Sequence, residues 1–191
     1  GEACFSATFG SDTFSQCPIG FAPQIGVGAA SNCPSGSERC DHGTHVASIA
    51  VGNDGVNFGV AREAQLMPID VFSQVTDEDV CFPDPAPCEL TDSITVLDAL
   101  NYVNEVAEDF NVVAVNLSFG GGKNSGQCDS DPRKVVVDML REKGVATVAA
   151  SGNESYEDAI NAPACMSTVL SVGATNDRSV VSSFSNLSRA L

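Results

Sequence analysis

The chain of 191 residues has no tryptophan, only 2 tyrosines and few cationic side chains. Its 9 lysines and arginines stand against 25 aspartates and glutamates, a formal net charge of -16 at pH 7. This excess of negative charge repels phosphate backbones and anionic lipid surfaces, which argues against nucleic acids and membranes as partners. No apolar run approaches the ~20 residues that a transmembrane helix needs. The N-terminus also lacks a basic and apolar signal segment, so we expect any secretion signal to lie upstream.

What the chain does have is 8 cysteines, an even number, mostly in surroundings rich in Gly, Pro and Ser. No CxxC pair and no Cys/His cluster with zinc spacing occurs, so disulfides are favoured over a metal site. Short spacing predicts two local bridges, and the remaining cysteines are expected to form two more: Cys33–Cys40, Cys81–Cys88, Cys4–Cys17 and Cys128–Cys165. Disulfides indicate an oxidising compartment, and we expect a secreted, extracellular protein.

The organisation along the chain predicts one domain. Residues 1–40 hold four of the cysteines in turn-rich sequence, which predicts a disulfide-stapled surface excursion. Residues 41–191 alternate between helical and strand patterns, which predicts an α/β core. We predict strands at 66–72, 112–119 and 145–150 and helices at 44–51, at 93–110 and after Asp131-Pro132.

The helix after Asp131-Pro132 is expected to turn Val135, Val136, Met139 and Leu140 inward. Since helices join successive strands, the sheet should be mostly parallel and doubly wound, with helices on both faces. Functional loops are then expected at the carboxyl ends of the strands.

Several segments contain side chains that could take part in catalysis. His42 opens a helix in Asp41-His42-Gly43-Thr44-His45, where its imidazole could act as a general base. His45 lies on the same helix face, which leaves a paired metal site as an alternative, although no glutamate is placed as in metalloprotease motifs. Asn153 follows a strand and a glycine, so its amide could donate to a developing oxyanion; the other interpretation is an ordinary turn residue.

Two further segments could bind an extended peptide. Ser118, Phe119 and Gly120 end a strand in mostly small residues, so a peptide could add beside that edge through main-chain hydrogen bonds. Ala150, Ser151 and Gly152 would form the facing wall of a first specificity pocket. A glycine-rich turn without a ligand is the alternative. A phosphate loop at 120–125 is rejected because Leu117 stands where its first glycine is needed.

In their order these segments resemble the subtilisin family of serine proteases. The matching stretches are Asp41–Ala50, Gly59–Val71, Val115–Gly121, Thr147–Asn153 and Val172–Asn186. The resemblance implies a subtilisin-like fold, protein or peptide substrates, no required cofactor and a monomer. It also implies that His42 is the general base, that Asn153 is the oxyanion donor and that Ser118–Gly120 and Ala150–Gly152 bind substrate.

The family pattern is incomplete within these residues. The mechanism needs an aspartate and a nucleophilic serine in the chain order Asp, His, Ser, and neither Asp12 nor Asp41 fits the first role. No Gly-Thr-Ser-Met-Ala segment occurs before Leu191. We expect a partial catalytic domain whose aspartate lies before Gly1 and whose serine lies after Leu191. The alternative is a catalytically dead relative that binds peptides. Calcium is possible near residues 52–59, but no ligands can be assigned.

Overall fold

A computed structural model describes residues 1–31 and 41–189. The chain forms two compact units, Gly1–Ala99 and Leu100–Leu191, and the division falls inside a helix. No helix among the described residues is both long and apolar enough to span a bilayer.

The first unit contains two small three-stranded sheets. Its elements in chain order are β1 (Ala3–Cys4), β2 (Thr13–Ser15), β3 (Gln24–Ile25), α1 (His42–Val51), β4 (Ile69–Asp70), β5 (Ser73–Val75), α2 (Glu78–Cys81), β6 (Cys88–Leu90) and α3 (Ser93–Val106), which runs on into the second unit. One sheet has the order β3-β1-β4 with β1 parallel to β4, and the other is the antiparallel sheet β2-β5-β6.

The predicted helix at 44–51 is confirmed as α1, but the strand expected over 66–72 is reduced to β4. Pro68, just before β4, has no N–H to give to a ladder. After β4, the Asp70 side chain accepts the backbone N–H of Phe72 at 3.0 Å, which turns the chain away from the sheet. Strand β4 therefore ends after two residues, limited by Pro68 before it and by the turn at Asp70 after it.

The prediction that residues 1–40 form only a surface excursion is wrong for β1. Ala3 and Cys4 are fully buried, and β1 is the central strand of its sheet. The Ala3 N–H donates to the carbonyl of Pro68 at 3.2 Å, and the Phe5 N–H to that of Asp70 at 2.7 Å. Two residues are too few to produce a hydrophobic period, so the sequence gave no signal for this strand.

The second unit is built around a three-stranded parallel sheet. After α3 its elements are β7 (Ala114–Leu117), β8 (Gly121–Asn124), α4 (Arg133–Glu142), β9 (Ala146–Ala150), β10 (Ile160–Ala162) and β11 (Leu170–Val172). The parallel sheet has the order β11-β9-β7, and β8 pairs with β10 in an antiparallel ladder. The parallel sheet expected from the sequence is thus present here, but the described strands form four small sheets rather than one. That helices cover both faces stays a prediction.

Helix α4 buries a different face from the one predicted. Val136 and Leu140 are buried as expected, whereas Val135 and Met139 are 67% and 43% exposed and Val137 is fully buried. The buried stripe continues to Arg133, whose guanidinium is held by the Asp131 carboxylate. These positions follow the i, i+3, i+4, i+7 spacing of one helix face. The Arg133 hydrogen bonds also hold the pKa of Asp131 below its usual range.

Three of the four predicted disulfides are confirmed: Cys4–Cys17, Cys81–Cys88 and Cys128–Cys165. The fourth, Cys33–Cys40, lies outside the described residues. The bridges span 13, 7 and 37 positions of sequence, so they restrict the unfolded chain to different extents.

This difference in span leads to a stability prediction. Replacing both Cys128 and Cys165 by alanine should lower the unfolding free energy by about 4 kcal/mol, against about 2 kcal/mol for the same change at Cys81 and Cys88, because the longer loop loses more entropy when closed. Urea unfolding of the two variants, each compared with the unaltered chain, measures both values. Equal losses, or a larger loss at Cys81 and Cys88, would contradict the loop-entropy explanation.

Candidate active site

His42 is the first residue of α1 and is exposed. The helix begins after Asp41, whose carbonyl accepts the backbone N–H of His45 at 2.9 Å and whose carboxylate makes no capping hydrogen bond. Among the described residues, no group hydrogen-bonds to the His42 imidazole. The ring is therefore open to solvent at the start of the helix.

The far end of α1 is held by a loop that returns to the helix. The N–H groups of Gly59, Val60 and Ala61 donate to the carbonyls of Gly52, Ile49 and Ala50 at 2.7, 3.0 and 2.8 Å. This approach requires glycine, since a Cβ on Gly59 would lie only 2.8 Å from the Ser48 carbonyl oxygen. The motif Gly59-Val60-Ala61 thus fixes the helix that carries His42.

The turn between Gly52 and Gly59 is organised by hydrogen bonds to the Asp54 carboxylate. One Asp54 carboxylate oxygen accepts the backbone N–H groups of Val56 and Asn57, and the other accepts the Asn57 side-chain amide. These hydrogen bonds, the Asn57 side chain first, lower the pKa of Asp54 to about 2. That calcium binds near this turn stays a prediction. Within residues 1–31 and 41–189, no group of three His, Cys, Asp or Glu residues could hold a metal.

Asn153 lies in the loop that follows β9, which we call the oxyanion loop (residues 151–156). Asn153 is exposed, and its backbone N–H donates to Glu154 Oε2 at 3.0 Å. Gly152, just before it, has φ +110°, a left-handed conformation that side chains disfavour. No described residue hydrogen-bonds to the Asn153 side-chain amide. The amide is therefore available to an external acceptor.

The two predicted substrate-binding segments leave the parallel sheet at the same edge. Leu117 at the end of β7 pairs with Ala149 in β9, so Ser118 and Ala150 are the next residues on neighbouring strands. Both therefore lie at the carboxyl edge of the sheet, where Gly152 and Asn153 also follow β9. The structure brings these predicted residues together within the second unit.

The members of these segments differ in exposure. Ser118 accepts the Asn116 side-chain amide at 2.9 Å, and Phe119 packs against the core cluster around Leu117. Gly120 lies close to β10, since a Cβ there would be 2.9 Å from the Ala162 carbonyl oxygen. The Ser151 hydroxyl is buried and donates to the carbonyl of Asn186 at 3.0 Å. The Ser151 side chain is therefore enclosed in the protein and is not free to contact a peptide.

His42 belongs to the first unit and Asn153 to the second. The proposed roles require a general base and an oxyanion donor on opposite sides of one cleft, and we predict that arrangement for His42 and Asn153. The roles of all these residues likewise stay predictions. The sequence interpretation missed Glu154, Asn161 and Asn186. Their side chains hydrogen-bond to one another, and Glu154 also accepts the backbone N–H of Asn153. Asn186 stood in a segment that resembles the family, but no local pattern marks an asparagine as buried.

Comparison with known proteins identifies the family of this chain. The model of the subtilase family matches residues 26–191. The chain belongs to the subtilase family. Subtilase relatives include alkaline protease 1 of Aspergillus clavatus, which is 31% identical over 153 residues, 78% of this chain and 32% of that protein. An extracellular serine proteinase of Thermus sp. (strain Rt41A) is 29% identical over 174 residues, 90% of this chain and 36% of that protein.

Solved protease structures support the same fold. The prenylagaramide maturation protease PagA is 29% identical with a TM-score of 0.60, over 78% of this chain and 48% of that one. The S218A mutant of the PatA protease domain, at 24% identity and a TM-score of 0.63, covers 82% of this chain and 51% of that one and shows the fold alone. The subtilisin-like α/β fold expected from the motifs is thus confirmed. The chain spans about a third of the length of the two curated relatives named above.

Proposed function

We propose that this chain is the part of a subtilisin-type serine endopeptidase that supplies the general base and the oxyanion donor. His42 is the base and Asn153 the donor, while the nucleophilic serine and the triad aspartate lie outside residues 1–191. The observation that carries the proposal is the exposed Asn153 amide, which has no partner among the described residues and lies beside both substrate-binding segments.

The reaction is acyl transfer from a peptide to serine and then to water. As the serine oxygen attacks the scissile carbonyl, His42 takes the serine proton and Asn153 donates to the carbonyl oxygen, which becomes negative. The C–N bond then breaks and His42 returns the proton to the leaving amine. A water molecule, deprotonated by His42, then attacks the acyl carbon. The ester bond to serine breaks, and His42 returns the proton to the serine oxygen. The backbone at Ser118–Gly120 holds the peptide by main-chain hydrogen bonds, and Ala150–Gly152 form the facing wall of the first specificity pocket.

The substrates in this proposal are proteins or peptides outside the cell, and the enzyme acts as a monomer without a required cofactor. The three disulfides among residues 1–31 and 41–189 support secretion, because disulfides persist in oxidising compartments. The net charge of -16 is consistent with it, because charge favours solubility outside the cell. The names of relatives from Thermus sp. and from Dichelobacter nodosus include the word extracellular.

Because the proposal places the nucleophilic serine and the triad aspartate outside residues 1–191, these residues alone should not hydrolyse peptides. A fluorophosphonate probe, which reacts with activated serines, should leave this chain unlabelled and should label the longer protein that contains it. Mass spectrometry of the probe-treated proteins locates any adduct. An adduct on a serine within residues 1–191 would overturn the assignment of the nucleophile. A longer protein that binds peptides but takes no label would instead favour a catalytically dead relative.

A further inference from the structure

The oxyanion loop is lined by a distant segment of the second unit, residues 184–187. Backbone hydrogen bonds join the two along their length: Ser155 N–H to the Phe184 carbonyl at 2.9 Å, Asn186 N–H to that of Gly152 at 3.0 Å and Leu187 N–H to that of Tyr156 at 2.8 Å. The partners are 29, 34 and 31 positions apart in sequence. The loop is therefore held by tertiary pairing.

The Asn186 side chain is the centre of this pairing. Its Oδ1 accepts the backbone N–H groups of Glu154 and Tyr156, both at 3.0 Å. Its Nδ2 donates to the Ser151 carbonyl at 3.1 Å, to Asn161 Oδ1 at 3.3 Å and to Glu154 Oε2. Rotating the amide by 180° would turn its oxygen toward three acceptors, so the surroundings allow one orientation only.

The amide is enclosed as well as hydrogen-bonded. Asn186 is 1% exposed and Asn161 is 2% exposed. A Cβ on Gly152 would lie 2.5 Å from Asn161 Nδ2, so the loop passes these side chains at a distance that only glycine permits. A buried amide that lost its partners would carry a large desolvation cost. The loop therefore has little freedom to shift while Asn186 is in place.

The connection continues to Asn153 through Glu154. The same carboxylate oxygen, Glu154 Oε2, accepts from Asn186 Nδ2 and from the backbone N–H of Asn153. Partial burial raises the pKa of Glu154, but the hydrogen bonds from Asn186, Asn161 and Asn153 outweigh it and the net pKa is lowered. The stabilisation from this charged form is fully present above pH 4.5, the ordinary value, and is lost as the pH falls through the lowered pKa.

From these contacts we propose that Asn186 is a positioning residue that holds the backbone of the oxyanion loop and so aims the Asn153 amide. The inference rests on the proposed function of Asn153. Asn186 does not touch the substrate; it acts through the Glu154 carboxylate and through the N–H groups of Glu154 and Tyr156. Asn186 thus provides the orientation that a preorganised oxyanion donor requires.

A double-mutant cycle in the complete protease tests this link. Asn186→Ala should lower kcat by about 10- to 100-fold, because a shift of about 1 Å at a catalytic group has that effect. In an Asn153→Ala background the same change should lower kcat by less than about threefold, since the group being aimed is gone. An equal loss in both backgrounds would show that Asn186 acts independently of Asn153 and would overturn the proposal.

Amide hydrogen exchange provides a readout that does not depend on activity. In Asn186→Ala, exchange of the Glu154 and Tyr156 amides should speed up strongly, and unchanged exchange would overturn the positioning role. Asn186→Asp keeps the acceptor oxygen but sets a second carboxylate against Glu154, so it should also loosen the loop. If Asn153→Ala itself leaves kcat intact, the proposed function fails, while the exchange data still decide whether Asn186 holds the loop.

Asn104→Ala is the matched control. Asn104 is a buried asparagine of the same unit, on α3, and no described group hydrogen-bonds to its Oδ1 atom. Its replacement should change the melting temperature without changing kcat or the exchange of residues 151–156. If both asparagine variants lowered kcat in proportion to their loss of stability, Asn186 would be a structural residue only.

Discussion

Replacing His42 by alanine in the complete protease should abolish nearly all turnover, with a fall in kcat of about 10⁴- to 10⁶-fold, a scale known from the subtilisin family itself. The reason is that the serine then has no group to take its proton during attack, and the leaving amine has none to supply one. Because His42 is exposed at the start of α1, the substitution removes no buried contact. Peptide turnover, measured beside the melting temperature, separates loss of chemistry from loss of fold.

The chain supplies its own control in His45. His45 is also exposed and lies on the same helix, three residues after His42. His45→Ala should leave kcat essentially unchanged if His42 alone is the base. An equal loss of activity in both variants, together with inhibition by a zinc chelator, would favour the paired metal site that the spacing of the two histidines leaves open.

Asn153→Ala should lower kcat by about 100- to 1000-fold, equivalent to about 3 to 4 kcal/mol of transition-state stabilisation, with KM little changed; these magnitudes too come from the subtilisin family. The amide matters most when the carbonyl oxygen becomes negative, so its loss affects the transition state more than substrate binding. Steady-state kinetics on one peptide substrate provide both constants. A rise in KM with kcat intact would instead identify Asn153 as a substrate-binding residue.

Two further variants separate the donor from the shape of the side chain. Asn153→Asp keeps nearly the same size but replaces the donor by a carboxylate, so it should reduce kcat at least as much as alanine does. Asn101→Ala makes the same truncation at an exposed asparagine of α3 in the second unit and should leave kcat unchanged. An Asn153→Ala enzyme with undiminished kcat would remove the proposed mechanism and leave the fold assignment intact.

The sequence predicted most reliably what depends on neighbouring residues. Helix α1 and strand β9 were placed almost to their observed ends, and Cys81–Cys88 closes a loop of 7 positions that favours local pairing. The motif around Asn153 was located because strand, glycine and asparagine follow one another directly. Each of these features is specified within about ten residues of sequence.

What the sequence could not predict depends on contacts between distant segments. Helical spacing around α4 fitted two overlapping faces, and packing within the second unit selected the one that contains Val137 rather than Val135. Strand β1 needed its pairing with β4, more than sixty residues away, to be recognised at all. Asn186 became identifiable only when the oxyanion loop was seen folded around its amide.

The bridge between Cys128 and Cys165 makes a covalent ring of the backbone between them. The ring contains α4, β9, the oxyanion loop and β10, and therefore Asn153 itself. If another protease molecule cuts any one peptide bond inside it, the two new ends remain tied through sulfur. The chain gains the mass of one water and separates into two pieces only after reduction. A chain that is nicked once in this region thus keeps the segment that carries Asn153.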